Sequence, residues 1–180
     1  MQTLRRILFG TQGAEIAEIA VVLPVLFLVL LGVFYFGRAY NIYGTINQAA
    51  LQGARAAVAP SCATCGNVSL TASQIATNYV APTLQASKLN PAQVQPLVRT
   101  ACQCGSVGCG ATVACDPAGV GATPSICVQQ NVVLNTTSGA HQECGTSVAF
   151  QYPYNFNLPF QTFTLQMKAA AQMRTEEQQQ

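Results

Sequence analysis

The sequence predicts an α+β protein in which a long N-terminal transmembrane helix packs on a small antiparallel sheet of three or four strands. Three observations carry this prediction. An uncharged run of 19 apolar or small residues lies near the N-terminus, at positions 19–37. Eight cysteines lie between Cys62 and Cys144. Segments rich in β-branched and aromatic residues, with partial alternation, are concentrated after residue 126.

The apolar run is long enough to cross a bilayer as a helix. At 1.5 Å per residue it spans about 28 Å, close to the roughly 30 Å of the hydrocarbon core. A buried core helix is the alternative, but such helices rarely run this long without a polar face. Arg5 and Arg6 precede the run and Arg38 follows it, so positive charge modestly favours a cytoplasmic N-terminus. We therefore expect a single span, with the chain after about residue 38 outside the cytoplasm.

Helical spacing continues beyond the span and predicts one helix over residues 14–58, ended by Pro60-Ser61. Its small and aliphatic residues recur every three or four positions, at Ile42, Ile46, Ala49, Gly53 and Ala57. This stripe permits close packing on another helix or, as we expect, on the chain's own globular domain, predicted over residues 61–180. Pro24 lies inside the apolar part, where it removes a backbone hydrogen bond and tends to kink the helix.

The globular domain is expected to contain two short helices and at least three strands. The helices are predicted at 71–87 and 90–102, the second with Asn90 as N-cap and Pro91 at its first position. Between them and the strands lies an irregular region with five cysteines, Cys102 to Cys127. The predicted strands cover residues 127–136, 146–156 and 163–174.

An even number of cysteines outside the cytoplasm indicates a disulfide framework. The candidates are Cys62, Cys65, Cys102, Cys104, Cys109, Cys115, Cys127 and Cys144. Their pairing stays open, because eight cysteines allow 105 connectivities. Zinc is the alternative, since Cys62 and Cys65 have knuckle spacing, but no second pair matches it and the sequence has one histidine, His141. No metal or other cofactor is expected.

The distribution of charge argues against two classes of function. From residue 61 onward four basic and four acidic residues balance, so no basic stripe exists to bind nucleic acid. An enzyme is not expected, because one histidine and no paired carboxylates leave no catalytic set. Cys62-x-x-Cys65 follows a helix and lacks the βαβ context of a thiol oxidoreductase.

The first thirteen residues, MQTLRRILFGTQG, are basic, free of acids and end in Gly13, and Glu18 is the fifth residue after that glycine. A secretory signal peptide fits poorly, since its apolar stretch is about 7–15 residues. The segment instead resembles a type IV prepilin leader. The longer match resembles the TadE-like pseudopilins of tight-adherence (Flp) pilus systems, through Gly13, Glu18, Leu23-Pro24, Phe36-Gly37-Arg38 and residues 47–57.

The resemblance implies that a prepilin peptidase removes residues 1–13 by cutting between Gly13 and Ala14. It also implies that Glu18 pairs with the new amine of a neighbouring subunit during assembly. A cut after Gly10 stays possible, because Glu15 follows at the same spacing. The simpler alternative for Glu18 is a helix cap. A pilin-like fold is implied as well, with the start of the segment 168–180 as the last strand, followed by a disordered tail.

The predicted function is that of a structural minor pilin or pseudopilin in Tad/Flp pilus assembly or secretion. Its expected partners are the prepilin peptidase, other pilin or pseudopilin subunits, the inner-membrane assembly platform and membrane lipid. Its expected location is the bacterial inner membrane and, after assembly, a surface pilus. The alternative is a membrane-anchored envelope protein or adhesin with a TadE-like anchor that never joins a filament.

Overall fold

The computed structural model describes residues 11–59, 69–106, 109–116, 121–134, 142–157 and 161–175, with side chains in the first range from Ile16 onward. It confirms the α+β class: a long apolar helix, antiparallel sheets and three disulfides. The chain divides into two compact units, Met1–Tyr40 and Asn41–Gln180. The C-terminal part of the long helix, from Asn41 to Val58, therefore belongs to the globular unit, although the start of that domain is predicted from the sequence near residue 61.

Helix α1, Thr11–Val58, is 48 residues long and continues through Pro24. Its described part starts three residues before the start expected from the sequence. Within the globular unit, the predicted stripe from Ile42 to Ala57 is buried. At Gly53 an added Cβ would lie 3.0 Å from Val80 Cγ2. The glycine thus allows α1 to lie close to its neighbouring helix.

That neighbour, helix α2, consists of α-helical Ala72–Ile75, a π-helical turn at Ala76–Val80 and α-helical Ala81–Ala86. It starts with a capping box, in which the Thr71 hydroxyl accepts from the Gln74 backbone N–H and the Gln74 side chain accepts from the Thr71 backbone N–H. The wide turn directly precedes Pro82, whose ring would clash with the carbonyl four residues earlier in a regular α-helix. The first predicted helix is thus confirmed.

The second predicted helix, over 90–102, is wrong beyond its first turn. Asn90 does cap a turn, because its side chain accepts from the Ala92 N–H, but the helical part is only the 3-10 turn Pro91–Gln93. Strand β1, Gln95–Pro96, follows directly. Pro96 explains the difference, since a proline disfavours the α conformation of the residue before it and lacks a helical N–H.

The main sheet is built around strand β5, Cys144–Asn157. Strand β6, Thr162–Arg174, pairs with it along residues 145–157. Strand β4, Cys127–Val133, pairs antiparallel with residues 144–149 of β5, and β1 pairs with residues 150–151. Because a strand has two edges, β4 and β1 share the edge opposite β6. The four-stranded antiparallel sheet matches the prediction.

The core lies where this sheet meets the helices of the same unit. Its fully buried large side chains include Ile46 from α1, Ile75 and Leu84 from α2, and Val148 and Phe150 from β5. Aliphatic and aromatic burial of this kind is worth about 1.5–3 kcal/mol per side chain. The globular unit therefore holds its part of α1 as an integral core element.

The cysteine-rich region forms a lobe around a small second sheet of strands β2, Ala101–Cys102, and β3, Thr112–Val113. A buried side chain of β4 holds this lobe to the main sheet. Gln129, 2% exposed, donates from Nε2 to the carbonyl oxygens of Arg99 (2.6 Å) and Val113 (2.7 Å). Strand β3 and the segment just before β2 are thereby tied to β4, and the region expected to be irregular contains two paired strands.

Candidate membrane-anchoring and assembly site

The first unit presents an extended apolar surface. Most of its large apolar side chains from Ile16 to Phe36 are more than half exposed, for example Val21 (70%), Leu28 (67%) and Phe36 (75%), whereas Leu31 and Tyr35 are partly covered. No residue in the most apolar 18-residue window of this helix is buried, and the helix is long and apolar enough to cross a membrane. Apolar area of this extent is unfavourable in water and favourable in lipid. The segment is a candidate membrane anchor.

Glu18 is the one charged residue between Ile16 and Gly37. Its side chain is exposed, and the structure shows no ion pair or hydrogen bond between it and another described residue. A carboxylate driven to the bilayer centre costs about 2.5–3.5 kcal/mol, so its position at the edge of the apolar run limits this cost. A positively charged group placed beside Glu18 would form an ion pair with its carboxylate.

The start of α1 bears on the simpler interpretation of Glu18 as a helix cap. The described part of α1 extends back to Thr11, so Glu18 lies at least seven residues inside the helix. The helix dipole acts within the first turn. In the uncut chain Glu18 is therefore not a cap.

Gly13 and Ala14 lie within α1, close to Thr11, where the described part of the helix starts. Glycine disfavours a helix by about 1 kcal/mol relative to alanine, so Gly13 weakens α1 locally. Gly10, the alternative cleavage point, lies outside the described residues.

Ala14 and Glu18 are four residues apart and so lie on the same face of the helix, about 6 Å apart along its axis. Pro24, one and a half turns further, lacks the N–H that would otherwise bond to the carbonyl of Ala20. The helix therefore carries two polar groups near its start, a carboxylate and a carbonyl without its regular donor. A neighbouring helix with a compensating donor would satisfy them.

The structure pairs six of the eight candidate cysteines as Cys102–Cys109, Cys104–Cys144 and Cys115–Cys127. The last two candidates, Cys62 and Cys65, lie outside the described residues. Cys104–Cys144 joins the small lobe to the start of β5, and Cys115–Cys127 joins the segment after β3 to β4. All three bonds belong to the globular unit and stabilise the lobe rather than forming a reactive centre.

Comparison with known proteins agrees with this geometry at the N-terminal helix. Residues 13–55 match the family model described as TadE-like protein. The match begins at Gly13, includes Glu18 and ends within the buried stripe of α1, and it covers about a quarter of the chain. No curated protein and no solved structure is significantly similar to the chain.

Proposed function

We propose that this chain is a minor pilin or pseudopilin processed by a prepilin peptidase. It carries a TadE-like segment at residues 13–55 and is on that ground associated with Tad pili. The observation that carries the proposal is the position of Glu18. Among the described side chains of α1, which start at Ile16, it is the one carboxylate on the exposed apolar surface, and it is the fifth residue after Gly13. An anchor alone has no need of a charge there.

In the proposed mechanism, cleavage after Gly13 creates a cationic amine on Ala14. Residues 1–13 are the leader, and the remaining part of α1 is both anchor and assembly helix. The amine and Glu18 lie on one helix face, so the amine of one subunit can pair with the carboxylate of the next when two such helices lie side by side. A buried ion pair of this kind fixes register more dependably than it adds stability.

The proposal includes the orientation of the protein and its partners. Residues 1–13 face the cytoplasm, where the peptidase and the assembly platform act, and the globular unit lies outside. Disulfides persist in such oxidising compartments and are rare in the cytoplasm, so the three observed bonds support this orientation. No catalytic role is proposed, since the TadE-like family is a structural, pilus-associated family.

A second candidate is an envelope protein or adhesin that keeps the anchor and never enters a filament. It is favoured by one observation: the family match ends at residue 55, so the disulfide-stabilised lobe and the sheet lie beyond it. An enlarged outer domain suits a protein that binds a surface.

Cell fractionation of paired glycine variants tests the first candidate against the second. In Gly13→Ala the alanine adds a Cβ at the cut and strengthens α1 at this point by about 1 kcal/mol. The variant is therefore expected to keep its leader and stay in the membrane fraction. Gly10→Ala is the matched control and is expected to be processed and to appear with sheared filaments like the wild type. Wild-type protein absent from sheared filaments would instead support the envelope protein.

A further inference from the structure

The globular unit has a defined end at which the chain enters it. Along α1, Gly53 lies against Val148 of β5, since an added Cβ there would be 3.5 Å from Val148 Cγ1. Two turns earlier in α1, the Thr45 hydroxyl donates to Ser87 Oγ at 3.4 Å. Three residues after Ser87, the Asn90 N–H donates to the Tyr152 hydroxyl at 3.2 Å.

These contacts give the direction of β5 relative to this part of α1. Moving from Gly53 toward Asn41 corresponds to moving from Val148 toward Tyr152 and onward along β5. The end of the β5–β6 hairpin at the pair Asn157–Thr162 therefore lies at the same end of the globular unit as Asn41. Because Asn41 directly follows the first unit in the chain, this is the end at which the candidate anchor joins.

The hairpin extends past the rest of the sheet at that end. The strands β4 and β1 accompany β5 only as far as Gln151. Residues 152–157 and 162–167 continue as a two-stranded ribbon, from the pair Tyr152–Met167 to the pair Asn157–Thr162. We call these two segments the ribbon. Its length beyond the sheet is about 17–20 Å at roughly 3.3 Å per residue.

One face of the ribbon continues the apolar core face of the sheet. Cross-strand partners point to the same side, so the pairs Tyr154–Leu165 and Phe156–Phe163 share the face of the buried Phe150. The Tyr154 and Phe156 rings are in edge contact, with centroids 4.4 Å apart. On this face Tyr154 (4%) and Met167 (8%) are still buried, whereas Leu165 is 51% exposed and Phe163 is 49% exposed. The apolar face therefore loses its protein cover at these two side chains of β6.

Charge is separated along the hairpin. No ionisable acid or base other than tyrosine occurs between Cys144 and Met167 in the sequence. The charges of the hairpin begin at Lys168, and the ion pair of Glu143 with Arg174, at 3.5 Å, lies at the opposite end. An uncharged end that exposes a phenylalanine and a leucine is suited to the interface of a bilayer, where apolar side chains of this kind are buried.

We propose that the ribbon rests on the lipid surface, with Phe163 and Leu165 in the interfacial region of the outer leaflet. The globular unit then has two attachments to the membrane, the chain connection at Asn41 and the ribbon. This proposal goes beyond the proposed function and requires only that the chain is anchored, whether or not its leader is removed.

The protein contains no tryptophan, so a single introduced tryptophan is a clean reporter. The experiment uses the full chain reconstituted in phosphatidylcholine vesicles with and without brominated acyl chains, which quench tryptophan on contact. The reporter variants are Phe163→Trp and Leu165→Trp. The matched control is Gln172→Trp, an exposed position on the same strand, about 30 Å from position 163 at roughly 3.3 Å per residue.

The expected result is a blue-shifted emission for both reporters and a loss of their fluorescence in brominated vesicles, with neither effect in Gln172→Trp. Equal fluorescence of the reporters in both kinds of vesicle would overturn the proposal. A blue shift without quenching in brominated vesicles, which increases with the protein-to-lipid ratio, would also overturn the proposal. It would assign the ribbon to contact with a second copy of the chain. Leader cleavage affects none of these outcomes, so they are independent of the pilin proposal.

Discussion

Replacing Glu18 with alanine is expected to abolish incorporation of the protein into filaments while leaving leader removal and membrane insertion intact. The substitution leaves the amine of the neighbouring subunit without a partner in an apolar interface. Breaking a buried ion pair in this way costs about 3–5 kcal/mol, which weakens each contact by more than about a hundredfold, since 1.4 kcal/mol is tenfold. The measurement is the amount of protein in sheared-filament and membrane fractions.

Glu15→Ala is the matched control, because it removes the other carboxylate of α1, three residues before Glu18. With cleavage after Gly13, Glu15 is the second residue of the mature chain and its loss should leave assembly nearly unchanged. Assembly lost in Glu15→Ala and kept in Glu18→Ala would move the cleavage to Gly10. Normal assembly of both variants would contradict a role for the carboxylate in subunit pairing.

Gly145→Ala is expected to destabilise the globular unit more than any conservative surface change. An alanine Cβ at this position of β5 would overlap the carbonyl oxygen of Met173 and lie 2.5 Å from Leu134 Cδ1. Backbone oxygen atoms in a paired strand cannot move aside cheaply. The expected loss in free energy of unfolding is about 3 kcal/mol, equivalent to a fall in Tm of roughly 6–12 °C for a chain of this size.

The measurement is thermal unfolding of the full-length protein in detergent, followed by circular dichroism. Gly44→Ala is the control: it lies in α1, and an added Cβ there would have no heavy atom within 4 Å. Helix propensity predicts that it raises stability by about 1 kcal/mol. Equal melting of Gly145→Ala and the wild type would show that β5, β6 and the end of β4 are not packed as described.

Much of the fold could be predicted because its signals are local and periodic. The buried stripe of α1 is legible from its three- and four-residue spacing, and β4, β5 and β6 from their β-branched and aromatic residues. The capping residues Thr71 and Asn90 also act within a few positions of themselves. Residues whose partners are close in sequence leave a readable pattern.

The features that the sequence could not give depend on distant contacts. Strand β1 has two residues, too few for any alternation, and exists because Phe150 and Gln151 offer an edge to pair with. The disulfide Cys104–Cys144 joins residues 40 positions apart, so its pairing follows from the sheet and not from spacing. In the sequence Gln129 is an ordinary polar residue of a predicted strand. In the structure its side chain is buried and donates hydrogen bonds to two backbone carbonyl oxygens.

The candidate site shows the same division. The spacing from Gly13 to Glu18 is visible in the sequence, as is the apolar run that follows. That α1 extends back to Thr11, so that Glu18 lies inside the helix and not in its first turn, needed the structure. The partner of the carboxylate belongs to another subunit in the proposed mechanism, and one chain cannot reveal it.

The most direct test of the central claim is the N-terminal sequence and intact mass of the protein isolated from native membranes. The account predicts a mature chain that begins at Ala14 and lacks residues 1–13. A start at Thr11 would keep the class of protein and make Glu15 the fifth residue. An intact Met1 in all of the protein would contradict processing and assembly, and would leave a membrane-anchored envelope protein.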